Sequence, residues 1–376
     1  MLTPLLPYIR DGLSLTYTQA GWLVSAYSLA YGISQLPAGW LADRIGPRII
    51  LTIGVAGVGV AGLLIDFAPT YIILIVFLVL LGVAGGGYHP ASAPLVSASV
   101  KAKNRGQALG LHQIGGGIGF FLAPLIVAGI ASTFGWRGTF LTVSIPSIAF
   151  GIVFYMLLGR LGYGKKTNQK MPASHSDTEI AQRPRRLRPL ATALILGIAI
   201  MGLVNSTVSF IPLFIVDHFG GVNNEAAAAM LSLFYLGGLW AGPLGGYLSD
   251  RLGSVPVIVA AGFIAGLTIY LQNVVPLGTA FSAVLIILGT AMNLSMPAVE
   301  SYIIGHTLER KRSTVLGIYY LGSRGGPAIA PLIGYLIDRY GFYTGFSVVG
   351  AAMAAVTLVC AILLRGSRDK FTQDID

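Results

Sequence analysis

Two ionisable side chains stand in stretches otherwise almost free of charge: Arg324, between Ser313 and Ile337, and Glu300, between Thr279 and Ile304. A charge in such surroundings is costly unless it is paired or engages a ligand. The planar fork of Arg324 suits an anionic group. A carboxyl such as Glu300 beside a cation can load and release a proton as its neighbours change. A static Arg324–Glu300 pair is the other reading. Tyr320 lies one helical turn from Arg324 and shares its face. Arg324 falls about 16 Å along its helix from Ser313, at 1.5 Å per residue, close to the middle of a bilayer. The run Tyr88-His89-Pro90 adds a further candidate. His89 can bind a polar solute or shuttle protons, or it can satisfy a carbonyl freed by a kink at Pro90. Gln113, Asn205, Asn293, Tyr31, Gln35, Tyr235 and Trp240 are candidates to line a polar cavity. Packing or interhelical hydrogen bonding is the plainer account of them.

Several chemistries are missing. There is no H-E-x-x-H, no G-x-S-x-G, no paired catalytic carboxylates and no Cys–His set, so an enzyme is not expected. No G-x-x-x-x-G-K-[ST] run is present, so ATP is not the expected energy source. The lone Cys360, in the apolar run from Ala354 to Leu364, excludes a disulfide framework and a cysteine metal site. No cofactor and no metal are expected.

The elements that carry these residues must lie in lipid. Of 376 residues 55% are hydrophobic and only 10% charged, with a mean hydropathy of +0.76, whereas a soluble domain is about 25% charged. Apolar stretches long enough to cross a bilayer as helices lie at about 18–42, 48–66, 71–97, 105–131, 138–160, 190–217, 226–249, 255–272, 279–304, 313–337 and 343–364. Glu300 is the one acidic residue well inside a span; Asp66, Asp217 and Asp338 fall at span ends. Most of the 24 Lys and Arg residues crowd into one set of loops, while the opposite loops hold only Arg10, Arg137 and Arg339. That bias places the first set in the cytoplasm, together with the central loop and the C-terminus of a multi-pass plasma-membrane protein. The net charge of +10 is thus a sidedness signal and not a nucleic-acid footprint. The polar, basic stretch 161–189 reads as a flexible linker between an N-terminal bundle, 1–160, and a C-terminal bundle, 190–376.

The halves repeat at a constant offset of 207 residues. Asp43 and Asp250, Pro90 and Pro297, Arg105 and Arg312, Gly110 and Gly317, and Pro124 and Pro331 all keep it. Arg324 has Gly117 as its mate, and Tyr320 has Gln113. The helix that opens the second half starts near Leu190, so its counterpart is expected to start about 17 positions before Met1, leaving the first helix largely missing.

The segment Gly39-Trp40-Leu41-Ala42-Asp43-Arg44-Ile45-Gly46-Pro47-Arg48 resembles the signature loop, G-x-x-x-D-R-x-G, between helices 2 and 3 of the major facilitator superfamily. Gly246, Asp250, Arg251 and Gly253 form the degenerate second copy. The resemblance implies an all-α membrane protein of two pseudo-symmetric six-helix bundles. It implies a secondary transporter of a small organic solute, working by alternating access in the lipid bilayer as a monomer, and driven by protons or another coupling ion. Gly39 and Gly46 are expected to permit the tight turn. The resemblance places Asp43 at the N-terminus of helix 11, near Ser313, and pseudo-symmetry places Asp250 at helix 5, near Arg105. A carboxylate is favoured at a helix N-terminus, so these contacts would form a gate favouring the outward-open state; a solvated loop charge is the alternative. Gly106, Gly115 and Gly119 approach the family's antiporter motif, but Phe120 stands where its proline belongs, and the Gly-Pro pair appears in helix 11 as Gly326-Pro327. Leu78, four residues before Gly82, replaces the arginine that the family's helix 4 often carries. The stretch from His89-Pro90-Ala91-Ser92 through Arg105-Gly106 to Gln113-Ile114-Gly115-Gly116 is similar to exporters of the fosmidomycin-resistance type. That likeness implies export of an anionic or drug-like compound. A non-transporting receptor on the same fold is the second reading.

Overall fold

The computed structural model describes residues 2–101, 104–162, 187–307 and 309–365. Most of the expected linker, 161–189, lies outside the described residues. The described chain is helical, with no strand among the described residues. The elements are α1 Leu2–Leu13, α2 Tyr17–Ile45, α3 Pro47–Asp66, α4 Tyr71–Gly85, α5 Tyr88–Ala98, α6 Arg105–Arg160, α7 Leu187–Phe219, α8 Asn224–Leu252, α9 Ser254–Leu271, α10 Thr279–His306, α11 Glu309–Gly325 and α12 Ala330–Leu364. A 3₁₀ turn, Gly326–Ile329, joins the last two.

Among the described residues, eight continuous helical stretches are long and apolar enough to cross a membrane. Two of them, Leu111–Arg160 and Val315–Leu364, run to 50 residues. Each folds back at a glycine with positive φ, Gly135 (φ 67°) in α6 and Gly341 (φ 80°) in α12. Each is therefore two crossings. Adding α2, which is 29 residues long, gives about eleven, the number expected. The loop expected at 132–137 shrinks to that single glycine. Arg137 stays close by and donates to the carbonyls of Asp66 and Ala68, both at 2.8 Å, so it caps the end of α3.

The repeat is visible in local geometry. Gly46, at φ 96° and ψ 146°, is the whole connection between α2 and α3. Gly253, at φ 86° and ψ 154°, is the whole connection between α8 and α9. The expected tight turn thus rests on Gly46 alone. Gly39 is helical instead, and a Cβ on it would come within 3.5 Å of the Pro90 side chain, so its role is packing. Positive φ with extended ψ is essentially open to glycine only, at a cost of about 1–3 kcal/mol for other residues. Gly46→Ala is therefore expected to lower thermal stability in detergent measurably, while Gly39→Ala changes it little; equal melting curves would remove the turn argument.

Candidate functional site

The site is organised around the interruption between α11 and α12. Gly325, Gly326 and Pro327 are poor helix residues, and Pro327 has no N–H to donate. The helix tightens there into the 3₁₀ turn. The turn lies against α2 and α7, both of which present glycine. A Cβ on Gly32 would come 3.0 Å from the Gly325 nitrogen, and one on Gly202 would come 3.2 Å from Gly326 Cα. Ser25 of α2 donates to the Ala328 carbonyl at 3.1 Å, supplying a partner where the regular ladder is broken.

Arg324 sits in the last turn of α11, one residue before this break. It is half-buried and makes no hydrogen bond or ion pair among the described residues. Glu300 of α10 is engaged from another direction: the Tyr320 hydroxyl donates to its Oε1 at 2.8 Å. The direct Arg324–Glu300 pair weighed from the sequence is thus replaced by a Tyr320–Glu300 hydrogen bond, although Arg324 remains within electrostatic reach of Glu300. Tyr319 packs beside Tyr320, ring centroids 5.6 Å apart. It is fully buried, and its hydroxyl has no hydrogen-bond partner.

The N-terminal half contributes an aromatic and imidazole stack. Tyr88 and His89 meet edge to face at 5.5 Å, Tyr88 stacks on His112 at 5.9 Å, and His89 meets Tyr31 at 6.4 Å. The Arg324 charge reaches His89, Tyr31 and Tyr27 across the interface between the halves. The interruption expected from Pro90 lies just before it: regular helix stops at Gly85 and resumes at Tyr88, and Gly86, four residues before Pro90, is the residue whose carbonyl the missing N–H and the proline ring leave without its helical partner. Tyr235 of α8 stacks on Phe120 of α6 at 5.6 Å, an aromatic link between the halves.

The other candidates make no hydrogen bond to this cluster among the described residues. Asn205 donates to the Met201 carbonyl of its own helix, and Asn293 to that of Gly289. Asn293 also packs within 2.9 Å of where a Gly238 Cβ would lie. Gln113 is exposed on α6, and Trp240 is exposed on α8. Gln35 buries an amide nitrogen without a hydrogen-bond partner. The sequence reading missed His112, Tyr27 and Phe120. For His112 a signal existed: its repeat mate is Tyr319, just as Gln113 is the mate of Tyr320.

At the glycine-turn end the arginines lie on aromatic faces. Arg44 covers the Trp40 ring at 3.9 Å, and its repeat mate Arg251 covers Tyr247 at 4.7 Å. Arg48 covers Tyr155 at 3.8 Å and donates to its carbonyl at 3.0 Å. Such cation–π contacts hold the charge at the surface while shielding apolar rings. Asp250 is exposed on α8, and nothing crowds Gly246. The Asp43 side chain and the side chains that open α11 lie outside the described residues, so the expected gate contact does too. Among the described residues no His, Cys, Asp and Glu group could hold a metal.

Known proteins share both the sequence pattern and this architecture. The chain is 32% identical to the "Probable L-galactonate transporter" of Escherichia coli strain K12 over 149 residues, which is 40% of this chain and 33% of that protein. It is 24% identical to the "Probable sulfoacetate transporter SauU" of Cupriavidus necator over 95% of this chain and 87% of that one. It is 25% identical to the "Multidrug resistance protein MdtG" of Salmonella arizonae over 94% and 88%. Among solved structures, a bacterial homologue of the human lysosomal transporter Spinster, inward-facing and occupied, superposes with a TM-score of 0.76 at 17% identity, covering 97% of this chain and 93% of that one. The family model described as Major Facilitator Superfamily matches residues 1–222 and again residues 221–374, one match for each half. The chain is a multi-pass membrane transporter, not an enzyme, and it belongs to the major facilitator superfamily.

Proposed function

We propose that this transporter carries a small organic anion by alternating access, with Arg324 as the group that holds the anion. The observation that supports this reading is an arginine near the middle of a crossing helix, half-buried and unpaired among the described residues, beside a carboxylate already engaged by Tyr320. A guanidinium in that position has unused donors that match a carboxylate, sulfonate or phosphonate. Tyr320 lies one turn away on its own helix, His89 and Tyr31 of the other half lie within reach of its charge, and Tyr88 and Gln113 are further candidates to meet the solute. Glu300 and His89 are the candidates for proton coupling, because a carboxyl or imidazole beside a solute-bound guanidinium changes its proton affinity when the solute leaves. The two bundles divide at the linker, 161–189, with 1–160 on one side and 190–376 on the other. The basic loops, the central loop and the C-terminus face the cytoplasm.

The relatives named for L-galactonate and sulfoacetate fit this reading. The relative named for multidrug resistance favours a second one, efflux of an aromatic or lipophilic drug, and the Tyr27, Tyr31, Phe120 and Tyr235 rings would suit such a cargo. Proteoliposome flux separates them. Labelled sulfoacetate and a sugar acid are expected to move and to compete with each other, with a rate that responds to a pH gradient. Flux of a cationic dye that these anions do not inhibit would overturn the anion reading.

A further inference from the structure

At the end of the molecule away from the basic loops, contacts to three carboxylates tie the two halves together. Arg10 of α1 forms an ion pair with Asp217 at the end of α7, its second terminal nitrogen lying 3.1 Å from Oδ1. The Tyr17 hydroxyl donates to the same carboxylate at 2.5 Å. Asp338 of α12 accepts from the first two backbone N–H groups of α2, Tyr17 at 2.9 Å and Thr18 at 2.8 Å, and from the Thr18 hydroxyl at 2.5 Å. Asn224 donates to Asp11 at 3.2 Å.

The first contact has a property that follows from the repeat. Arg10 and Asp217 are separated by 207 positions, the offset that relates the halves. Two residues exchanged by a two-fold rotation can touch only on its axis. The pair therefore marks the pseudo-two-fold axis, which in this architecture runs along the membrane normal, between the halves where a solute must pass. The Asp338 contact has no counterpart. Its mates are Ala131 and Asn224, and beside them the α6–α8 junction holds a groove of about 300 Å³ lined by Ala128, Gly129, Asn223 and Glu225. The seal is axial and one-sided.

The α2 terminus is built to survive losing Asp338. Thr16 caps it from within the same half: its hydroxyl accepts from the Gln19 N–H, and the Gln19 side chain accepts from the Thr16 N–H at 2.9 Å. This capping box stays when the halves part, and water can take over the two N–H groups that Asp338 releases.

We propose that the Arg10–Asp217 pair is an axial plug and Asp338 a detachable cap, and that together they hold the outer mouth shut until the halves rock apart. Calling this mouth the outer one rests on the sidedness proposed above.

The test uses Cys360→Ser as background and Phe120→Cys as reporter, since Phe120 meets Tyr235 across the interface. A membrane-impermeant thiol reagent is applied to right-side-out and to inside-out vesicles. The parent is expected to label slowly from outside. Asp338→Asn and Asp217→Asn, which keep the side-chain shape, should each raise the outside rate about tenfold, as loss of a cap or charge pair shifts a two-state balance. Asn224→Ala should leave it within about twofold. The exchange Arg10→Asp with Asp217→Arg should bring the rate back toward the parental one, because it keeps opposite charges facing each other across the axis. A sharp size-exclusion peak of each solubilised variant reports that it has folded. Unchanged outside rates in both Asn variants, with the sharp peak retained, would overturn the proposal, as would an exchange variant that folds yet labels as fast as Asp217→Asn. Acceleration from the cytoplasmic face alone would support the gate and overturn the sidedness.

Discussion

Arg324→Gln is expected to lower affinity for the anionic solute by about 30-fold or more, the scale on which removing one partner of a desolvated, charge-assisted contact acts. Glutamine keeps most of the length and polarity but removes the charge and the fork. Expression should survive, because the guanidinium supports no hydrogen bond or ion pair among the described residues. Glu300→Gln should behave differently. Its amide oxygen can still accept from Tyr320, so affinity is expected to stay within about threefold. What it cannot do is titrate, so the pH dependence of binding and flux should flatten. Isothermal titration of the purified variants with sulfoacetate or a sugar acid, between acidic and neutral pH, reads both effects. The double variant decides between direct contact and a structural pair. If Arg324 serves only to neutralise Glu300, removing both charges should restore binding, whereas direct contact predicts that the double variant binds no better than Arg324→Gln. Restored binding would sink the direct-contact assignment.

Gly289→Val is expected to abolish folding. A side chain on Gly289 of α10 would collide with the Phe234 carbonyl of α8, and one on Gly82 of α4 would collide with the Tyr27 carbonyl of α2. These are the same contact twice, since Gly82 and Gly289, like Tyr27 and Phe234, differ by the repeat offset. Backbone against backbone leaves no flexible side chain to yield, so the helices themselves would have to separate. Overpacking costs about 1–3 kcal/mol even where a core can adjust, and here two crossing helices lose their closest approach, the main source of attraction between helices in lipid. Gly242→Val is the control, because nothing lies within 4 Å of a Cβ there. Size-exclusion profiles of the solubilised proteins should show a sharp peak for Gly242→Val and aggregate for Gly289→Val. A monodisperse Gly289→Val at normal yield would show that α8 and α10 do not cross as described.

Much of this architecture was legible in the residues themselves. Apolar length and lipid's lack of hydrogen-bond partners force helices, so the crossings could be counted before any fold was known. The repeat offset recurs in the structure: Gly46 and Gly253 adopt matching turns, and Arg44 and Arg251 cover matching rings. It even contained His112, through its mate Tyr319. Local conformational rules were read less well. Gly39 was expected in a turn, yet it packs inside α2.

The sequence alone determined that this chain lies in a membrane, that its halves are copies, and that Arg324 and Glu300 are the costly charges at depth, because composition, period and offset are properties of the chain. Tertiary structure alone decided their partners. Glu300 is held by Tyr320 and not by Arg324; Arg10 meets its own mate Asp217; and Asp338 caps a helix of the opposite half. Those outcomes depend on how helices far apart in sequence are rotated and spaced. A rotation of one helix by a fraction of a turn moves a side-chain tip by several ångströms, more than separates a hydrogen bond from no contact at all.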